Sequence, residues 1–282
     1  MSNIKNFFSL VKFAHTLFAM PFAMIGFFEG VQVLGVPFPW RILLLVVLCM
    51  VFARNSAMGF NRYLDRKYDA QNPRTSGRDI PVERVSPQAA LGFVVVNCIL
   101  FCVTSFFINK LTFYLSPVAL LVVLGYSYTK RFTALCHFVL GLGLAIAPTG
   151  AYIAVTGSFT ALPLLYSTIV LLWSGGFDIL YALPDEDFDK SVRLKSIPTL
   201  LGRKRAMALS WDVHFITALI VVYIGFSHHW LYWIGAVIFT FLLNYQHIIV
   251  KPDNLSKLNA AFFTTNSIAS ICYAFFVIAD LY

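Results

Sequence analysis

Charge is what this sequence has least of. Only 12% of its 282 residues are Asp, Glu, Lys or Arg, against 59% hydrophobic ones. A soluble globular domain of this size needs about twice that charge to cover its surface, so the composition excludes one. Cysteine is also sparse: Cys49, Cys98, Cys102, Cys136 and Cys272 lie in apolar runs without the paired spacing of a thiolate metal site, and read as small core residues. The first apolar run is too long for a cleavable signal, carries His15 and Glu29, and lacks a small-residue cleavage site after it.

What is present in abundance is apolar sequence in lengths that cross a bilayer. Runs of about 20 residues fall at roughly 13–35, 41–61, 87–108, 112–129, 134–155, 160–182, 206–226, 229–249 and 259–281. A spanning segment must satisfy its own backbone, so all nine are expected to be helices, and the fold class is an all-α polytopic membrane protein. The net charge of +8 does not read as a nucleic-acid surface, because the basic residues follow this topology. Lys5, Lys12, the group from Arg54 to Arg84, Lys130, Arg131, Lys190, Arg193, Lys195, Arg203, Lys204, Arg205, Lys251 and Lys257 fall on one side, and only Arg41 and Lys110 on the other. By the positive-inside rule the first side is cytoplasmic, and so is the N-terminus.

Against this background the few carboxylates stand out. Asn61, Asp65 and Asp69 in NRYLDRKYD recur at i, i+4 and i+8, which on a helix confines them to a stripe about 80° wide. Like charges so arranged repel and require a cation, and oxygen ligands of this kind select Mg²⁺. In the second stretch, GGFDILYALPDEDFDKSVRLKSIPTLLGRKR, Asp185 and Asp189 fall within about 20° of Asp178, whereas Asp187 falls opposite, although Pro184 interrupts the helix between them. Both stripes sit at cytoplasmic ends, four spans apart, as two copies of one helical unit would place them. As helix-end carboxylates they are expected to contribute little to stability, so that Asp65→Asn and Asp185→Asn should abolish turnover and leave the fold intact.

Several cations accompany them. Arg54 lies within about 20° of Asn61 around the helix, either as a snorkelling side chain or as a diphosphate contact. Arg74 and Arg78, in a long Pro/Gly/Ser-rich loop, are either ordinary cytoplasmic charge or bidentate phosphate donors. Tyr126 and Lys130 stand one turn apart at a cytoplasmic end, an arrangement that interfacial anchoring also explains. His15 is either an interhelical hydrogen-bonding group or a site contact, and His214, His228, His229 and His247 follow no metal spacing. Two acidic stripes facing one another, flanked by Arg and Lys, suit a Mg²⁺-chelated diphosphate whose departure leaves an allylic cation, and an apolar, aromatic-lined chamber suits that cation.

Asn61 to Asp69 resembles the NxxxDxxxD motif, and Asp178 to Asp189 the DxxYxxxDxxxD motif, of the UbiA superfamily of intramembrane prenyltransferases. Asn72-Pro73-Arg74-Thr75, the Tyr126/Lys130 pair, Lys195-Ser196 and Gly202 fit the family in order, across nearly the whole chain. Within it the sequence is most similar to bacterial 4-hydroxybenzoate polyprenyltransferases and their relatives in menaquinone-making bacteria. The resemblance implies one transmembrane prenyltransferase domain over 1–282, with nine helices around a central cavity open to lipid. It also implies Mg²⁺-dependent transfer from a polyprenyl diphosphate to a small aromatic acid in quinone biosynthesis, at the cytoplasmic face of a bacterial inner membrane. On that basis Asp65, Asp69, Asp185 and Asp189 are the catalytic metal ligands, and Asn61, Arg54, Arg74, Tyr126, Lys130, Asp178, Tyr181 and Lys195 bind substrate. The family's RPLP is replaced here by Arg78-Asp79-Ile80-Pro81. Other expectations compatible with the residues are prenyl transfer to 1,4-dihydroxynaphthoate or haem, and, in a different class, a secondary transporter, for which the Pro148/Gly150 break in the fifth span is the comparable feature.

Overall fold

A computed structural model describes residues 19–282, so His15, Lys5, Lys12 and the start of the first apolar run lie outside the described residues. Among the described residues eight helices are long and apolar enough to cross a membrane, and Met20–Leu34 is a shorter apolar helix. In chain order these are α1 (Met20–Leu34), α2 (Trp40–Gln71), α3 (Pro87–Phe106), α4 (Lys110–Thr129), α5 (Cys136–Thr156) and α6 (Ala161–Tyr181). The short α7 (Glu186–Ser191) and α8 (Ile197–Leu201) follow, then α9 (Arg203–Gly225), α10 (Trp230–Ile249) and α11 (Asn266–Asp280), the last entered through a π-helical turn at Ala260–Thr265.

Local signals account for the helix ends. Ser86 and Asn109 cap α3 and α4 by accepting from the backbone N–H of Ala89 and Thr112. α2 runs on for 32 residues because nothing breaks it before Asn72-Pro73, and Asn72 is already extended, as a residue before proline prefers. The helix therefore carries the first acidic motif up to about two turns beyond its apolar stretch.

The helices divide into two halves around α5, which packs against α1, α4 and α6. Contact there is close. A Cβ on Gly26 of α1 would stand 2.0 Å from the Pro148 carbonyl oxygen, and one on Gly141 of α5 would stand 2.5 Å from that of Leu171. Thus the Pro148/Gly150 region is a helix-crossing point. The half formed by α1, α6, α9, α10 and α11 is filled by Phe22, Trp173, Phe239 and Tyr273, with Trp173 donating to Asn266 across it. The histidines of this half are structural: His214 is hydrogen-bonded to His247, and His228 to Asp280. The half formed by α2, α3, α4 and α5 instead borders, together with α6, an apolar cavity of about 580 Å³.

Candidate active site

The acidic motif at the C-terminal end of α2 does not face solvent. Asp65 is 2% exposed and Asp69 5%, because the α4–α5 corner and the 72–86 loop fold over them. Asn61 donates to Asp65, as i, i+4 neighbours can. Lys130 Nζ reaches Asp65 Oδ2 at 2.6 Å, and Arg131 Nη2 reaches Oδ1 at 3.0 Å. Arg78 Nη1 lies 2.6 Å from Asp69 Oδ1, so the loop that departs from RPLP still delivers its arginine to the carboxylate. The other oxygen of Asp69, Oδ2, is buried without a partner.

The second motif is assembled across a break. α6 ends at Tyr181, Pro184 sits in a 3₁₀ turn at Leu183–Asp185, and α7 restarts at Glu186. Even so, Asp178, Asp185 and Asp189 line the same pocket as Asn61, Asp65 and Asp69, while Asp187 is 83% exposed and pairs with Arg203. Buried Glu186 receives both Lys190 and Arg203, which fixes α7 against the start of α9. The two motifs are joined directly. Asn72 donates to Asp185 Oδ1 at 3.0 Å, and Arg74 grips the same carboxylate in bidentate fashion. Arg74 also lies over the ring of Tyr181, which stacks on Phe262 of the π-helical turn. Burial, and then the neighbouring Asp185 carboxylate, push the Asp189 carboxyl up to about 6.

The pocket so formed has a volume of about 190 Å³ and meets the apolar cavity at Tyr126 and Leu140, which line both. Lys195 and Tyr181 also line the polar pocket, and Lys195 is held by donating to the Phe132 carbonyl. Arg54 does not line it. It faces the apolar cavity, where its Nε is buried without a partner. The angular argument that placed it with Asn61 leaves out the rise of seven residues, about 10 Å along the axis. The aromatic-lined chamber is corrected too: Phe101, Tyr126 and Phe159 are its only aromatic walls among the described residues, and the rest is Ala, Val, Leu and Ile with a few polar side chains.

Two residues of the site have no signal in the sequence. Arg131 supplies a second cation to Asp65, and His137 places Nδ1 2.7 Å from Asp178 Oδ2. Both contacts join residues far apart in the chain, from spans whose own spacing is uninformative.

Among the described residues no three His, Cys, Asp or Glu side chains converge closely enough to hold a metal ion; most of the motif carboxylates are drawn to a cation instead. The donor set nevertheless fits a hard divalent ion. Asp65, Asp69, Asp178, Asp185 and Asp189 gather in one small pocket against Arg74, Arg78, Lys130 and Lys195, with Arg131 on Asp65 from beside it, and an orphaned oxygen on Asp69 and a destabilised carboxylate at Asp189 remain for an ion.

Fold and site together define an integral membrane protein that gathers carboxylates and cations at one end of its bundle, above an apolar chamber. The chain belongs to the UbiA prenyltransferase family, whose family model matches residues 19–268. It is 31% identical over 242 residues to the 4-hydroxybenzoate octaprenyltransferase of Aliivibrio salmonicida (strain LFI1238), covering 85% of this chain and 84% of the relative. It is 29% identical over 241 residues to the protein of the same name from Aliivibrio fischeri (strain MJ11), covering 85% and 83%. The apo structure of a UbiA homolog from Aeropyrum pernix K1 superposes with a TM-score of 0.84 at 28% identity, over 95% of this chain and 98% of that one. A UbiA homolog from Archaeoglobus fulgidus bound to DMAPP and Mg²⁺ shares the fold, with a TM-score of 0.71 at 20% identity over 97% and 99%. Family membership makes the chain a membrane prenyltransferase and removes the transporter reading, with which acidic stripes at one end of the bundle also disagree.

Proposed function

We propose that the protein moves a polyprenyl group from its diphosphate to a small hydroxylated aromatic acid of the 4-hydroxybenzoate type, with Mg²⁺, on the pathway to a quinone. The observation that carries this reading is the junction at Tyr126 and Leu140 between a charged pocket and an apolar cavity, which suits a substrate with a diphosphate head and a hydrocarbon tail. The names and contents of the relatives agree with it: 4-hydroxybenzoate for the Aliivibrio proteins, DMAPP and Mg²⁺ for the Archaeoglobus one.

Asp65, Asp69, Asp185 and Asp189 would hold the divalent ion, with Asn61 beside them. Bound there, it supplies Lewis-acid charge that stabilises diphosphate as a leaving group. The remaining steps belong to the chain. Arg74, Arg78, Lys130 and Lys195 are placed to exchange their present partners for diphosphate oxygens, Arg74 and Arg78 with planar bidentate donors. The prenyl tail lies in the apolar cavity, whose walls exclude water from the allylic cation, and Tyr126 offers its ring at the junction. Arg54, a cation without a partner among apolar walls, offers the counter-charge for the acceptor's carboxylate. The ring carbon then bonds to the allylic carbon and loses its proton.

The membrane is read as a bacterial inner membrane and the site as cytoplasmic. Arg74, Arg78, Lys130, Arg131, Lys195 and Arg203 stand at the site end of the bundle, whereas Arg41 and Lys110 stand at the starts of α2 and α4, at the other. The test is purified protein given radiolabelled prenyl diphosphate, Mg²⁺ and a panel of aromatic acids including 4-hydroxybenzoate and 1,4-dihydroxynaphthoate. Mg²⁺-dependent prenylation of 4-hydroxybenzoate is expected. Product with another acceptor alone overturns the acceptor, and no product with any overturns the reading.

A further inference from the structure

The reaction needs a group to take the ring proton, and the pocket carboxylates are not equivalent in their fitness for it. Asp65, Asp69 and Asp185 are each drawn to an ammonium or guanidinium, and in the reading above each would hold the divalent ion. Asp189 stands beside Asp185 at the head-group end of the pocket. Asp178 differs in both respects. Its one partner is an imidazole, with His137 Nδ1 2.7 Å from Oδ2, and its side chain retains 22% exposure toward the pocket.

The backbone fixes the state of that imidazole. His137 is 2% exposed, and its Nε2 accepts the Ile197 N–H at 3.2 Å. Nε2 therefore carries no proton, Nδ1 does, and the ring is neutral; an imidazolium would set its Nε2–H against the Ile197 N–H. Ile197 is itself held in place, at the first position of α8 behind the Ser196/Thr199 capping box and before Pro198. This is a rigid donor.

Position supports the same role. Asp178 lies on α6 seven residues after Leu171, which lines the apolar cavity, so the two share a helix face about 10 Å apart. Asp178 thus lines the head-group pocket on a helix face that leads toward the tail cavity, the direction in which the allylic carbon and the ring meet.

We propose that Asp178 accepts the ring proton and that His137, locked as the neutral Nδ1–H tautomer by the Ile197 backbone, is the positioning residue that orients it. The inference rests on the prenyl transfer proposed above. In the step, the C–H bond of the prenylated arenium ring breaks and its electron pair restores the aromatic ring. The proton forms an O–H bond on the free oxygen of Asp178 and later leaves to water. No oxidant or reductant takes part.

The experiment compares the full-length wild type with His137→Phe, His137→Asn and Asp178→Asn, using prenyl diphosphate, Mg²⁺ and ring-deuterated 4-hydroxybenzoate. In the wild type, ionisation of the allylic carbon is expected to be slower than proton loss, so that deuterium should have no primary effect. His137→Phe should lower kcat about 100-fold, the scale of a general base, and bring out a primary isotope effect. Binding of a prenyl thiolodiphosphate with Mg²⁺ should be unchanged. His137→Asn keeps an N–H where Nδ1 stands and should restore most of kcat and remove the isotope effect. Asp178→Asn, nearly isosteric, should show the effect even if His137→Phe fails to fold. An isotope effect that stays at unity in Asp178→Asn and in whichever His137 variant folds overturns the assignment, as does His137→Phe with wild-type kcat. Wild-type protein that prenylates no acceptor overturns the prenyl-transfer reading instead.

Discussion

Asp65→Asn separates a structural from a purely chemical role for the first motif. Read from the sequence, Asp65 is a helix-end carboxylate whose loss leaves the fold untouched; in the structure it is 2% exposed and takes both Lys130 and Arg131. Breaking a fully buried ion pair by removing one partner costs about 3–5 kcal/mol, because the other charge is left uncompensated. Here the partners are 30% and 24% exposed, so water recovers part of that loss and a cost of about 2 kcal/mol is expected. For a chain of this length that lowers the melting midpoint by about 5 °C. The assay is thermal unfolding of detergent-purified protein in EDTA, followed by tryptophan fluorescence, with Asp187→Asn as control. Asp187 is 83% exposed and should leave both midpoint and turnover close to wild type. An Asp65→Asn midpoint equal to that of Asp187→Asn would refute the reasoning and return Asp65 to the surface.

Asp189 carries a carboxyl raised to about 6 from 3.8, so its contribution to stability is present below about 3.8 and lost as pH rises through 6. Asp189→Asn should therefore melt higher than wild type in EDTA at pH 7.5, with the gap closing toward pH 4; a gap independent of pH contradicts this. Arg54→Gln should raise KM for the aromatic acid and leave KM for prenyl diphosphate alone, because Arg54 faces the apolar cavity and not the carboxylates; steady-state kinetics in both substrates decides it. Gly26→Leu puts a side chain where even a Cβ would stand 2.0 Å from the Pro148 carbonyl, so α1 and α5 must separate, at a cost of about 3 kcal/mol. An unchanged melting midpoint would show that this crossing yields.

Much of the fold was legible because hydropathy reports spanning length directly, and the bounds of most helices fall within a few residues of the apolar runs. The acidic faces were legible from spacing, including that of Asp178, Asp185 and Asp189, which line one pocket despite the 3₁₀ turn at Pro184 and the restart at Glu186. Depth was less legible than angle. Arg54 shares an angle with Asn61 yet sits two turns deeper, which puts it in the other compartment. Contacts between helices were not legible at all. His137 meets Asp178 and Arg131 meets Asp65 only because α4, α5 and α6 bring their ends at the site together with that of α2, and single-span periodicity holds no record of that. Aromatic abundance misled for a related reason: most of the buried rings pack the α1/α6/α9/α10/α11 half, where they hold helices together, and few reach the chamber.

The central claim is that paired carboxylate motifs and their arginines and lysines form one receptor for a diphosphate and a divalent ion. Calorimetric titration of the purified protein with a prenyl thiolodiphosphate, in Mg²⁺ and in EDTA, tests it most directly. The account predicts binding that requires Mg²⁺ and is lost in both Asp65→Asn and Asp185→Asn, one from each motif. Equal affinity in EDTA, or loss in only one of the two variants, would contradict it.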